Sequence, residues 1–269
     1  MPKRIFITGA STGLGKAAAL MFAERGWDVV ATMRNPDGET DMDAVSNISK
    51  LTLDVTSHAQ IADAVAETIA MGQVDVVFNN AGYGLAGPFE GAKDGQLVRQ
   101  LNTNLLGVMR VTQAFLPHLR AQGDGLIITT TSIGGLVAFP FNSVYHATKW
   151  ALEGWSESIA FELKPFGIGV KTVSPGGIRT DFASRSLDMS MHEAYSEQIQ
   201  KVMSVFQDPA RAATYSSAEQ IAEVVYEAAT DGKEQLRYVA GADATEMYAQ
   251  RLALGDEAFR AAIAERFLG

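Results

Sequence analysis

Apolar positions recur along the chain in two alternating rhythms. Short, nearly unbroken runs such as Val74-Asp75-Val76-Val77-Phe78 and Leu126-Ile127-Ile128 have the character of strands buried on both faces. Longer stretches space their apolar side chains three or four apart, as in Ala17, Leu20 and Met21 or Leu97, Leu101, Leu105, Val108 and Val111, which is the period of a helix. The pattern predicts strands over residues 4–8, 28–33, 49–54, 75–79, 125–131, 169–174 and 237–240. It predicts helices over 13–25, 57–70, 94–121, 143–164, 191–206 and 217–230. Strict alternation of the two from residue 4 to about 240 implies an α/β fold, a parallel sheet with helices on both faces. Residues 183–216 are more polar, carry Met189, Met191 and Met203, and break the alternation. They are expected to form a variable substrate loop over the carboxyl ends of the strands.

Composition narrows the class. With 269 residues, 47% hydrophobic and 20% charged, one domain over 1–269 is expected, its cofactor half about 1–130 and its catalytic half about 131–269. The net charge of -9 argues against a nucleic-acid or anionic-membrane surface, which needs clustered Lys and Arg. Without cysteine there is no disulfide, thiolate nucleophile or Cys-ligated metal. The four histidines, His58, His118, His146 and His192, are too scattered for zinc spacing, so no metal is expected. No run of about 18 apolar residues occurs, and the apolar stretch after Lys3-Arg4 is too short for a signal-peptide core. A cytoplasmic protein is expected.

The first strand leads into Thr8-Gly9-Ala10-Ser11-Thr12-Gly13-Leu14-Gly15 and then a helix. Glycines permit a tight turn and close approach of a pyrophosphate, while the helix start offers open amides and a positive dipole end. A glycine-rich turn without a ligand reads the same in isolation, but the place in the first βαβ unit favours the nucleotide loop. Polar groups recur at the same sheet edge: Asp54 and Val55 after the third strand, Asn80, Ala81 and Gly82 after the fourth. Such residues also serve simply as turn formers.

Tyr145 and Lys149 are one helical turn apart, so a lysine charge would favour the ionised phenol. Ser132 ends the fifth strand and stands close enough in sequence to fold back beside them, where its hydroxyl could hold a substrate oxygen. Its alternative is a bond to its own loop. Asn104, mid-helix, suggests a side chain that binds a water or a backbone carbonyl. Pro175-Gly176-Gly177-Ile178-Arg179-Thr180 is a rigid turn whose Thr hydroxyl could meet a cofactor.

Taken in order, TGASTGLG at residues 8–15, LDVT at 53–56, NNAG at 79–82, NLLG at 104–107, Ser132, YHATK at 145–149 and PGGIRT at 175–180 resemble a short-chain dehydrogenase/reductase of the single-domain type. The resemblance implies a Rossmann-type sheet of seven parallel strands and hydride transfer between a nicotinamide and a carbonyl or alcohol carbon. It implies Tyr145 as the proton carrier and Lys149 on the nicotinamide ribose, lowering the Tyr145 pKa. Ser132 would position the oxygen, and Asn104 would anchor a water in the proton path. By the same resemblance Pro175, Gly176, Ile178 and Thr180 embrace the nicotinamide end, Asp54 and Val55 the adenine, and Asn80, with Ala81 and Gly82, the adenine ribose side. A non-catalytic NADP(H)-binding sensor of the same fold has no need of Asn104, Ser132, Tyr145 and Lys149 together, and an epimerase or dehydratase usually carries a larger C-terminal domain.

Cofactor choice turns on the end of the second strand. No carboxylate stands at Thr32 or Met33, Arg34 follows, and the first acid is Asp37. A guanidinium there pairs with a 2'-phosphate, so NADP(H) is expected over NAD(H). Tyr83, Leu85, Phe89, Leu136, Phe139, Phe141, Met189, Met203 and Phe206 suggest an apolar pocket for a hydrophobic ketone, aldehyde or secondary alcohol, though some of them are ordinary core. The helices at 94–121 and 143–164, apolar on more than one face, suit a homodimer or homotetramer.

Overall fold

Seven parallel strands form one sheet, numbered in chain order with the shorter strands included. They are β1 (Arg4–Thr8), β2 (Asp28–Met33), β3 (Ile48–Thr52), β4 (Val76–Asn79), β6 (Gly125–Thr130), β7 (Ile168–Pro175) and β11 (Arg237–Ala240), in the spatial order β11-β7-β6-β4-β1-β2-β3. This is a computed structural model, and it describes residues 2–179 and 186–269. The strand order reverses between β1 and β4, so the loops after these two strands leave in opposite directions and open a crevice at the carboxyl edge.

Alternation along β1 shows why the strands read as unbroken apolar runs. Ile5 and Ile7 face one layer with α1 (Gly13–Glu24) and α8 (Ala218–Thr230), packing on Ala18, Phe22, Ile221 and Val225. Phe6 faces the other with α2 (His58–Ala70) and α4 (Gly107–Gln122), packing on Ile61, Val65, Val111 and Phe115. Each face is covered, so both registers of the strand are apolar. Ser57 caps α2 by accepting from the Gln60 amide, and Ser217 caps α8 in a reciprocal box with Gln220.

The structure departs from the sequence pattern in three places. The single helix expected at 94–121 is two, α3 (Asp94–Leu101) and α4, joined by a π turn at Asn102–Leu106. The helix expected at 191–206 starts later: α6 spans Ser196–Phe206, after a single 3-10 turn at Glu193–Tyr195, and a short α7 (Pro209–Ala213) follows. Beyond residue 240, where no element was expected, α9 (Ala242–Leu254) and α10 (Asp256–Leu268) follow. Phe259 anchors them in a third apolar cluster with Ile133, Leu136 and Val137, under the cleft.

Two small parallel pairs flank the crevice: β5 (Gly84–Ala86) with β9 (Leu187–Met189), and β8 (Ile178–Arg179) with β10 (Ser216–Ser217). The first pins the beginning of the polar insertion to the loop after β4. Among the described residues no helix is long and apolar enough to cross a membrane, and no group of His, Asp and Glu is arranged to hold a metal.

Candidate active site

The glycine loop between β1 and α1 has no space for a side chain at Gly9 or Gly15. Gly9 and Gly13 have φ of 68° and 55°, the left-handed region that glycine enters freely. A Cβ at Gly9 would stand 2.8 Å from the Ala81 Cα, and one at Gly15 would stand 2.3 Å from the Gly9 carbonyl and 2.6 Å from Asn80 Nδ2. Thr12 precedes the helix in an extended conformation without capping it, and no acid occupies the first turn. The amides at Gly13, Leu14 and Gly15 therefore face the crevice with a positive helix end behind them, a cradle that fits a pyrophosphate. Ser11 stands half-buried at its rim.

The turn after β4 is the floor of this loop. The Thr8 hydroxyl accepts from the amides of Asn80 and Ala81 at 2.9 and 3.0 Å. Asn80 Nδ2 donates to the carbonyls of Thr8 and Gly9, both at 3.2 Å, and its Oδ1 accepts from Thr130 at 3.2 Å. Asn80 thus braces the loop, where the resemblance had set it on the adenine ribose side. Gly82 lies against Asn104, with only 3.2 Å between its Cβ position and Oδ1. Asp54 Oδ1 closes its own turn on the amide and hydroxyl of Thr56, and buried Val55 packs against Gly107 of α4.

Arg34 is exposed just past β2 and makes no ion pair among the described residues. An acid beyond Asp37 turns inward: Glu39 is buried and pairs with Lys16, on the first turn of α1, at 2.9 Å. Lys16 also bonds Asp41, so the stretch after β2 is tied to the phosphate loop.

Tyr145, Lys149 and Ser132 converge at the opposite lip. Both Tyr145 and Lys149 lie on α5 (Ser143–Leu163). Burial pushes the Tyr145 phenol above its ordinary pKa, and the hydrogen bond from Ser132 pulls it back. Lys149 is buried, its Nζ 5.8 Å from the phenol ring centre and donating to the Thr130 carbonyl at 2.8 Å. Burial brings its amine down to about 8, opposed by Glu153. Ser132 also makes the local bond its alternative reading foresaw, accepting from the Gly134 amide at 3.0 Å. His146, beside Tyr145, is buried and brought to about 4, so it is neutral at pH 7.

Asn104 sits in the π turn and is 1% exposed. Its Oδ1 accepts from the Tyr83 amide at 3.0 Å and its Nδ2 donates to the Tyr83 carbonyl at 2.8 Å, so its side chain holds the loop after β4. Past β7, the Gly177 amide donates to Asp243 Oδ2 at 2.8 Å, and a Cβ at Gly176 would meet that carboxylate at 2.3 Å. Pro175, Gly176 and Ile178 are thereby set at the crevice edge, while Thr180 lies outside the described residues.

The apolar side chains expected to line a pocket divide. Leu85 and Leu136 are buried, and Phe89 is 65% exposed. Phe139 and Phe206 pack on Phe267 of α10 at 5.9 and 5.3 Å, with the Arg211 guanidinium above the three rings. Phe267, Asp243 and Glu153 were not anticipated. Glu153 alone left a signal, a carboxylate at helical spacing from Tyr145 and Lys149 on a face otherwise buried.

A model of the family described as short chain dehydrogenase matches residues 3–191. The chain is 40% identical over 182 residues to 3-ketodihydrosphingosine reductase of Bacteroides thetaiotaomicron, covering 67% of this chain and 66% of that one. It is 36% identical over 272 residues to the oxidoreductase BOA17 of Botryotinia fuckeliana, covering 97% of each. A solved short-chain dehydrogenase from Streptomyces avermitilis superimposes with a TM-score of 0.86 at 32% identity, over 98% of this chain and 95% of that one. A short chain dehydrogenase from Burkholderia cenocepacia, solved in complex with NADP, superimposes with a TM-score of 0.76 at 27% identity over 100% and 98%.

Proposed function

This chain belongs to the short-chain dehydrogenase/reductase family, and from that premise we propose that it is an NADP(H)-dependent oxidoreductase acting on a hydrophobic ketone, aldehyde or secondary alcohol. The observation that carries the reading is the meeting of Tyr145, Ser132 and Lys149 across the crevice from the open amides of the glycine loop. A nicotinamide cofactor bound along that crevice would supply or take up the hydride. The amides of Gly13, Leu14 and Gly15 would hold its pyrophosphate, and Pro175, Gly176 and Ile178 its nicotinamide end.

The chain's own part is proton chemistry. In reduction the Ser132 hydroxyl holds the carbonyl oxygen beside Tyr145, whose phenol gives up its proton to that oxygen. Because burial raises the phenol, Tyr145 is protonated and ready as an acid at neutral pH. Lys149 supplies a cation that stabilises the phenolate left behind. Asn104 keeps the loop at Tyr83 in place over the substrate side.

NADP is favoured by the exposed guanidinium of Arg34, unpaired among the described residues, and by the cofactor of the Burkholderia relative. A hydrophobic carbonyl is favoured by the apolar character of the side chains around the site, Leu85 and Leu136 among them, and by the 3-ketodihydrosphingosine reductase among the relatives. The chain is proposed to assemble as a homo-oligomer in the cytoplasm. Leu101, Leu106, Trp150 and Phe161 are exposed on the outer faces of α3 to α5, whereas Val108, Val111, Phe115 and Leu152 of the same helices are buried in this chain's own core.

The test follows nicotinamide absorbance with NADPH and NADH over a panel of hydrophobic and small charged carbonyls, for the unmodified chain and Tyr145→Phe. Turnover of the hydrophobic carbonyls with NADPH, falling below a few per cent in Tyr145→Phe while cofactor affinity holds, is expected. Retained turnover in that variant would overturn the acid's identity.

A further inference from the structure

The helix α5 carries a third polar group in line with the catalytic pair. Tyr145, Lys149 and Glu153 stand at successive four-residue intervals, and they engage three consecutive residues at the end of β6. The phenol meets the Ser132 hydroxyl, the amine donates to the Thr130 carbonyl at 2.8 Å, and Glu153 Oε1 accepts from the Thr131 hydroxyl at 2.5 Å. Glu153 is 4% exposed. Oε1 also accepts from Ser174 at 2.8 Å, and Oε2 accepts from Thr172 at 3.3 Å and from Arg237 Nε at 2.9 Å.

These partners lie next to the working parts. Thr131 immediately precedes Ser132, and Ser174 immediately precedes Pro175. One carboxylate therefore joins the catalytic helix, the strand end that bears Ser132, the strand end that enters the Pro175 turn, and the edge strand β11. Its backing is tight: a Cβ at Gly135 would stand 2.8 Å from the Lys149 carbonyl and 3.2 Å from Glu153 Cγ.

We propose that Glu153 is a positioning residue: it ties the catalytic helix to the ends of β6 and β7, and one turn from Lys149 its carboxylate keeps that side chain a cation beside Tyr145. This rests on the reading above in which Lys149 serves Tyr145. The other titratable or charged groups near the pair are few. On α5 they are Tyr145, Glu157 and the neutral His146; β11 contributes Arg237, itself 3.8 Å from Glu157, and α9 contributes Tyr248 beside that arginine. From β6 and β7 come only the uncharged groups of Thr130, Thr131, Thr172 and Ser174. Burial works against the charge on Lys149, and Glu153 is the group that opposes it.

The experiment titrates the Lys149 side chain directly, by NMR of the chain labelled with ¹³C-lysine, its resonance assigned by loss in Lys149→Met. Removing the carboxylate charge in Glu153→Gln should lower the Lys149 midpoint by about one pH unit, the scale of a charge pair a helical turn apart at a buried site. Arg237→Met, which leaves the carboxylate without its compensating cation, should raise it. A packing defect does not give opposite signs. Glu153→Asp, which keeps the charge, should stay near the unmodified midpoint. Midpoints unmoved in both charge variants, or moved the same way, would overturn the proposal; if Glu153→Gln does not fold, Arg237→Met decides alone. The alkaline limb of kcat/KM should follow the same midpoint. If the lysine titration shifts and that limb stays, Glu153 acts on Lys149 as stated and the assignment of Lys149 to Tyr145 fails instead.

Discussion

Replacing Thr8 by Val tests the crossing point of the sheet with a change of one oxygen. Thr8 is 2% exposed, and its hydroxyl accepts from two main-chain amides, Asn80 at 2.9 Å and Ala81 at 3.0 Å. Val fills nearly the same volume, so no cavity opens, but both amides lose their acceptor where water reaches them poorly. At about 1 to 1.5 kcal/mol for each unsatisfied group, the loss is about 2 to 3 kcal/mol. An unfolding entropy of about 2.1 cal/mol/K per residue over this length converts that to a Tm lower by about 4 to 5 °C. The turn at Asn80 and Ala81 is also the floor under Gly9, so cofactor affinity should fall by about tenfold as the loop loosens. Denaturant unfolding, with the midpoint reduced and the slope unchanged, and cofactor titration by intrinsic fluorescence measure the two effects. Thr8→Ser keeps the oxygen and should recover most of both. A Thr8→Val chain within about 0.5 kcal/mol of the original, the size of an ordinary neutral substitution, would refute the role given to these two bonds.

Gly87 has φ of 116° and its Cβ position lies 2.0 Å from the Ser190 carbonyl, so Gly87→Ala should part the β5–β9 pair and raise the substrate KM about tenfold while leaving cofactor affinity unchanged; equal damage to both would show that the pair does not belong to the substrate side. Arg34→Ala should reduce the preference for NADPH over NADH in kcat/KM by about tenfold, the scale of a hydrogen bond to a charged group, and equal use of both cofactors by the unmodified chain would dismiss the 2'-phosphate role. Light scattering should show a multiple of the 28.8 kDa chain mass, and Trp150→Glu on the exposed face of α5 should shift it toward the monomer; a monomer at micromolar concentration before any change would contradict the assembly.

Relations within one element could be read from the residues in order. The strands showed because a strand covered on both faces is apolar at nearly every position, and the bounds of β1 and β2 follow that pattern. Tyr145 and Lys149 were legible as a pair because helical spacing alone puts them on one face. Asn104 was legible as an anomaly, a polar side chain inside a helix, but its partner is the main chain of Tyr83, 21 positions earlier. The break in the helix at 94–121 was not legible, since apolar spacing continues through the π turn. Nor were α9 and α10, whose faces are largely polar and whose hold on the domain rests on a few residues such as Phe259 and Phe267.

Electrostatics depended most on the fold. Helical spacing put a lysine beside the Tyr145 phenol, but that burial raises the phenol could not be read from it, because desolvation is set by everything packed around a group and not by its neighbour on the helix alone. Glu153 shows the same division: its place one turn beyond Lys149 is written in the sequence. Its four donors come from residues 19 to 84 positions away, and only closure of the sheet brings them to one carboxylate.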